Sequence, residues 1–310
     1  MRMRRPSILF FLVALFLCSW HLDQGHNDNT MSRAACVASL VDRGTLEITP
    51  IQDVTGDKCL VKGRYYSDKA PLPTFVVLPF HWLMVKLGLV TASERGTLTD
   101  GLLRLGGFLC GSIPLAVLIT LAWMDLRSRR PLPLFGSFLF VYSGSFYNHL
   151  PGALFTVLAA RAMLRVQHLR VGLWSGAAFL CESSLMLFPI VWVMQLLLEK
   201  RWRPIGLLLL GLLPGLLGMA LHNLAVTGEA ITFPNAYAVN YGAMHHQYGF
   251  GTWQPKAFIG MLISDYRGLL FYMPFLIIGL WTLPWNMSRR TFLRDPFVLP
   301  ALLLIAAFLT

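Results

Sequence analysis

The feature that most constrains this chain is a series of long apolar runs, most of which end at a short cluster of arginine and lysine. Residues 102–124 precede DLRSRR, residues 131–160 precede RAMLRVQHLR, residues 171–198 precede EKRWR, and residues 204–226 lead into a polar loop. A last pair, residues 269–285 and 297–310, flanks NMSRRTFLRD. A bilayer core about 30 Å thick takes roughly 20 apolar residues as one helix, so the pattern is that of an all-α polytopic membrane protein. Only 13% of the residues are charged, against roughly 25% in soluble domains. The net charge of +11 falls mainly in the clusters between runs, where cytoplasmic loops carry it. The basicity is therefore read as topology, and a nucleic-acid partner is not expected.

The first run, residues 8–20, follows MRMRR and has the short apolar core of a secretory signal. The sequence after it, CSWHLDQG, is bulky where a peptidase needs small residues, which favours an uncleaved first helix with a cytoplasmic amino terminus. Residues 21–72 then fall on the opposite side. Two runs, 131–160 and 171–198, exceed one helix and carry polar middles, SGSFYNHLPG and CESS; each reads as a pair of short helices or as one long tilted helix. Residues 73–90 are apolar enough to cross, yet a crossing there would place DLRSRR outside. Either this segment lies at or re-enters the interface, or the loop breaks the positive-inside rule. The chain ends inside an apolar run, FVLPALLLIAAFLT, so further spans are expected beyond it. The expected organisation is one transmembrane domain: a first helix at 8–20, a loop at 21–72, helices over 73–226, a second loop at 227–268 and last helices over 269–310.

Two loops hold the unusual residues. The first contains Asp23, Asp28, Asp42, Glu47, Asp53, Asp57 and Asp68, seven of the chain's fifteen carboxylates. Its pattern predicts a short amphipathic helix at MSRAACVASLVDRG, stopped by Gly44 and able to rest on the membrane surface, then extended segments and a turn at TGDK. Cys36 and Cys59 share this loop, and an oxidising compartment would permit a bridge, although the spacing does not set their distance. The second loop contains AYAVNYGAMHHQYGFGTWQPKAF and SDYRG. Its adjacent histidines, His245 and His246, lack a ligand spacing such as H-x-x-x-H, and no metal is expected. His149 lies within an apolar run, where an ionisable side chain is a functional candidate, although a hydrogen bond to a neighbouring helix explains it equally well. No Walker sequence, dinucleotide fingerprint or nucleophile elbow is present.

Taken in order, SR, ASLVDRGTLEI, TGDK and GRYYSDKAP running into an apolar segment resemble polytopic bacterial glycosyltransferase-like proteins of the GT-C superfamily, in the broad family 39 or dolichyl-phosphate-mannose-protein mannosyltransferase-like group. SGSFYNHLPGALFTVLAA, HNLAVTGEAITFPNAY and SDYRGLLFYMP fit later stretches of that group, so the resemblance spans nearly the whole chain and is most specific at GRYYSDKAP and SDYRGLLFYMP. It implies a GT-C-like helical bundle in the bacterial inner membrane, with a large first extracytoplasmic loop bearing short interfacial helices. It also implies transfer of a sugar from a polyprenyl-phosphate carrier to an envelope acceptor, with an acidic residue of the first loop at work. Relatives carry an acidic pair or D-E-T-R near the start of the loop and K-P-P-L or P-P-L at its end. Here the chain reads NDNTMSR and DKAPL. Lys69 with Ala70, Pro71 and Leu72 matches the second pattern, and Asp28 matches the first only loosely because its spacing to Arg33 is longer.

The chemistry needs a base for the acceptor hydroxyl and a cation for the phosphate. Asp28, Asp57 and Asp68 are the candidate bases. Lys69, Arg64 and Arg267 are the candidate phosphate ligands, lysine as a point charge and arginine as a fork. Tyr65, Tyr66, His149, Tyr241 and His245 are candidates to line the substrate site; the two loop tyrosines also suit an interfacial belt. The alternative is a polytopic transporter or a non-catalytic membrane subunit. Broken apolar stretches such as LLGLLPGLLGMAL suit a transporter, whereas the acidic loop and the want of internal repeats do not.

Overall fold

The structure, a computed structural model, describes residues 5–22, 26–126, 135, 137–240, 255–265, 268–272 and 300. Helix makes up 72% of it. Two helices, Asp100–Met124 and Trp202–Thr227, are long and apolar enough to cross a membrane, and three shorter apolar helices accompany them.

Helix α1 (Arg5–Ser19) leads into the first loop. There α2 (Asp28–Arg43) starts at Asn27, whose side chain accepts from Thr30 N at 3.1 Å, and stops at Gly44 in the left-handed region. That stop needs a residue that tolerates φ 66°, which glycine does without a Cβ penalty. Ten consecutive residues of α2, 30 to 39, are buried. The helix therefore does not lie on a membrane surface: Ala34, Ala35 and Ala38 are small enough for neighbours to close on several sides, and Met31, Val37, Ile48, Val77 and Leu102 complete one core. A two-stranded hairpin follows, β1 (Lys58–Val61) and β2 (Arg64–Ser67), in antiparallel register with Cys59 opposite Tyr66. Its turn uses Lys62 and Gly63, both at positive φ, as two-residue hairpins favour. Cys36 and Cys59 are free thiols, and burial pushes both up to about 12.

Helix α3 (Pro71–Lys86) occupies most of the segment whose crossing the sequence left open. Its 16 residues span about 24 Å, short of the ~30 Å apolar core. One face, with Thr74, Val77 and His81, is buried, while Phe75, Phe80, Trp82 and Leu83 are exposed. It packs on α2 and on α4 (Asp100–Gly107), which continues through a π-turn at Phe108–Ser112 into α5 (Ile113–Leu126).

Both runs with polar middles are broken. Short α6 (Phe138–Tyr142) turns at Ser143 and leads to α7 (His149–Leu164). Next, α8 (His168–Cys181) ends where Glu182 turns extended, with φ −153° and ψ 115°, and α9 (Leu187–Leu198) follows. Helix α10 (Trp202–Thr227) is the longest of the described helices, and short α11 (Pro255–Ile263) and α12 (Leu269–Tyr272) lie beyond it. Helices α8 and α10 cross backbone to backbone: a Cβ at Gly211 would overlap the Leu169 carbonyl oxygen. Small residues allow such close approach in apolar surroundings.

The packing sorts the helix ends into two sets. The end of α7, the start of α8, the end of α9 and the start of α10 share one cluster, with Ala159, Val171, Leu196 and Ile205. Phe10 stacks on Trp123, and Ser112 Oγ lies 3.1 Å from Cys18 O, so α1 and α5 are antiparallel. The basic residues of 161–170 and 200–203 thus share one end of the bundle. Glu182, the start of α7, the end of α10 and the first loop share the other.

Candidate functional site

At that second end a cavity of about 190 Å³ is lined by Asn29, Arg33, Asp68, Lys69, Asn148, His149, Glu182, His222 and neighbouring residues. Six parts of the chain build it. The first turns of α2 bring Asn29 and Arg33, and the end of the hairpin delivers Asp68 and Lys69. The break before α7 presents Asn148 and His149, and the break after α8 presents Glu182. Residues 233–235 and His222 of α10 close it. The described part of the second loop is tied to the first: Val239 N donates to Lys58 O at 3.0 Å and Asn240 Nδ2 to Gly56 O at 3.1 Å.

Lys69 Nζ lies 2.6 Å from Asp57 Oδ2 and 3.2 Å from Asp68 Oδ1. All three side chains are largely buried, with the lysine 16% exposed and Asp68 3%. Apart from the Lys69 ammonium, Asp68 Oδ1 has no polar partner among the described residues. Burial pushes the Asp68 carboxyl above the usual carboxylate range, and Lys69 opposes that rise. A largely buried carboxylate on the lining of a cavity is a candidate to accept a proton.

Across the cavity a polar chain links the loop to the helices. Arg33 donates from Nη1 to Asn29 O at 2.9 Å and to Asn29 Oδ1, and from Nη2 to Asn148 Oδ1 at 2.6 Å. Asn148 Nδ2 lies 2.8 Å from Cys181 O and 2.6 Å from Glu182 Oε2. Glu182 in turn pairs with His149 Nδ1 at 3.4 Å. His149 stacks on Tyr147 with ring centroids 5.7 Å apart.

The structure brings together three residues singled out from the sequence, Asp68, Lys69 and His149. Asp57 stands behind Lys69 as its partner. Asp28 does not line the cavity; its Oδ1 accepts from Gly56 N at 2.6 Å, and its backbone carbonyl accepts from Thr55 Oγ1 at 2.7 Å, so it holds the approach to β1. Arg64 points to water, 66% exposed, and pairs with Glu47 at 3.4 Å. Tyr65 packs on the α2 core beneath Lys58, and Tyr66 on the other side of the strand meets Cys59 and Val61. Neither lines the cavity, because alternate strand residues face opposite ways and both faces are covered. Tyr241, His245 and Arg267 lie outside the described residues. Sequence reasoning did not select Asn29, Arg33, Asn148, Glu182 or His222. The two polar middles did carry Asn148 and Glu182, and an arginine among the small residues of α2 was the signal for Arg33.

Comparison with protein-family models, with curated proteins and with solved structures gives no match for this chain.

Proposed function

We propose that the chain is a polytopic membrane glycosyltransferase that moves a sugar from a polyprenyl-phosphate-linked donor to a cell-envelope acceptor on the extracytoplasmic face of the bacterial inner membrane. The observation that carries this reading is the cavity itself. A buried carboxylate and two cations meet where a polar loop joins apolar helices. The basic clusters at the opposite end support a cytoplasmic assignment for that end, and the exposed Leu209, Leu213, Leu217 and Leu221 of α10 suit a lipid-facing surface.

In this reading the acceptor oxygen bonds to the anomeric carbon as the carbon–oxygen bond to phosphate breaks. The electron pair of that bond stays on the departing polyprenyl phosphate, and the acceptor proton passes to Asp68. Lys69 keeps the Asp68 side chain in place and, with Arg33, offsets the negative charge of the leaving group. At about 190 Å³ the cavity is smaller than the ~300–1,000 Å³ of drug-sized sites. It suits one sugar ring, and the prenyl chain then lies along the exposed apolar face of α3, which begins at the cavity edge with Pro71.

The test is donor turnover by the full chain in liposomes supplied with a polyprenyl phosphohexose and total envelope glycolipid, read as release of polyprenyl phosphate. The wild type should release it, and Asp68→Asn should be slower by about 10²-fold or more. Equal rates for the two proteins would remove the base from this reading.

A further inference from the structure

We infer that Arg33 is the anion-holding residue of the cavity, and that its ligand is a phosphate oxygen delivered beside Asp68. Only the nature of that ligand rests on the glycosyltransferase reading. Arg33 is 1% exposed, so its charge is out of water. Its partners are neutral: two oxygens of Asn29 and the amide oxygen of Asn148. Among the described residues no carboxylate is ion-paired with it, and its Nε has no hydrogen-bond partner. Asp68 and Glu182 act on it only from a distance, and each has a nearer partner of its own, Lys69 and His149.

A buried cation without a direct counter-ion is costly unless something else supplies the opposite charge. Lys69 contrasts with it, since two carboxylates already surround its ammonium. A bound anion would give Arg33 what its protein neighbours withhold, and a guanidinium suits phosphate because it offers parallel donors in a fixed fork. The hydroxyls of a phosphosugar would then come beside Asp68 and His222, which line the same cavity.

The test uses the full chain in detergent and measures binding of a short-chain polyprenyl monophosphate, with inorganic phosphate as a second probe and no sugar present. Arg33→Gln should weaken binding at least tenfold and Arg33→Lys should retain part of it. Because Arg33→Gln risks misfolding, Asn29→Asp gives an independent arm. It places a carboxylate on Arg33 in the first turn of α2, where negative charge is favoured, so thermal stability should rise while phosphate affinity falls about tenfold. Arg33-dependent binding of the lipid probe alone assigns the ligand to the carrier headgroup, and the same dependence with both probes supports a general phosphate site. A rise in stability from Asn29→Asp with unchanged affinity for both probes would overturn the inference, as would a wild type that binds neither. Binding without turnover in the liposome assay would instead count against the transfer reaction alone.

Discussion

The two ends of the helical bundle handle charge in opposite ways. At the cavity end Asp57, Asp68 and Arg33 are buried, Lys69 is largely so, and all four are held by named partners. At the other end Arg161 is buried, but Arg165, Arg170, Lys200, Arg201 and Arg203 are exposed, and Arg201 lies 3.5 Å from Glu199. Burial of four charges at one end asks for a reason other than stability, since such groups cost free energy to desolvate. Exposed clusters need only the electrostatics of topology. In the proposed reading, the contrast assigns the chemistry to the end that buries its charges and leaves to the exposed basic residues the orientation of the molecule.

Several substitutions can break or sharpen this contrast. The largest effect should come from Gly211→Leu, which forces apart the two helices that run between the ends. A side chain there meets the Leu169 carbonyl, so the cost should reach or exceed the ~3 kcal/mol upper range of overpacking. Loss of monodisperse protein on size exclusion is the expected outcome, and a normal profile would contradict the backbone contact. Next is the same replacement made at each end. Lys69→Met strips two buried carboxylates of their cation and should destabilise by about 3–5 kcal/mol, whereas Lys200→Met on the exposed end should stay within ~0.5 kcal/mol. Denaturant titration in detergent compares them, and equal losses would erase the difference between the ends.

A smaller effect follows from the raised Asp68 carboxyl. A group whose pKa is higher folded than unfolded adds stability below its unfolded value and loses it as pH rises through the folded value. Wild type should therefore weaken relative to Asp68→Asn as pH climbs from acid toward that raised value, with the gap levelling above it. Each kcal/mol should appear as roughly 2–4 °C in Tm, and a gap independent of pH would place the carboxyl in a water-like setting. Smallest of all is Arg64→Ala, an exposed pair member that should change stability by about 0–1 kcal/mol and leave donor turnover unchanged.

Much of this contrast was legible in the sequence where the signal is local. Most of α2 with its Gly44 stop follows from residue spacing and turn chemistry, although the helix begins at Asp28, three residues before the expected Met31, and the breaks within the two over-long runs were one of two readings their polar middles allowed. The covering of α2 does not, because an alanine-rich stripe reads alike whether lipid or protein lies above it. The cavity was half legible: GRYYSDKAP yields Asp68 and Lys69, but Arg33 and Asn148 meet across 115 residues, and no periodicity reports a contact of that reach. Asp28 shows the converse limit. A carboxylate near a family-like motif suggested a base, and in the fold it accepts a backbone N–H from Gly56.

The most direct test of the account is the sidedness of its two ends. Single cysteines at Ser183, beside the cavity, and at Arg165, among the basic residues, would be probed in intact cells with a membrane-impermeant thiol reagent, in a background where the five native cysteines are replaced by serine or alanine. The account predicts labelling at position 183 from outside and at position 165 only after the membrane is opened. Labelling of both positions from the same side, or the reverse pattern, would contradict it.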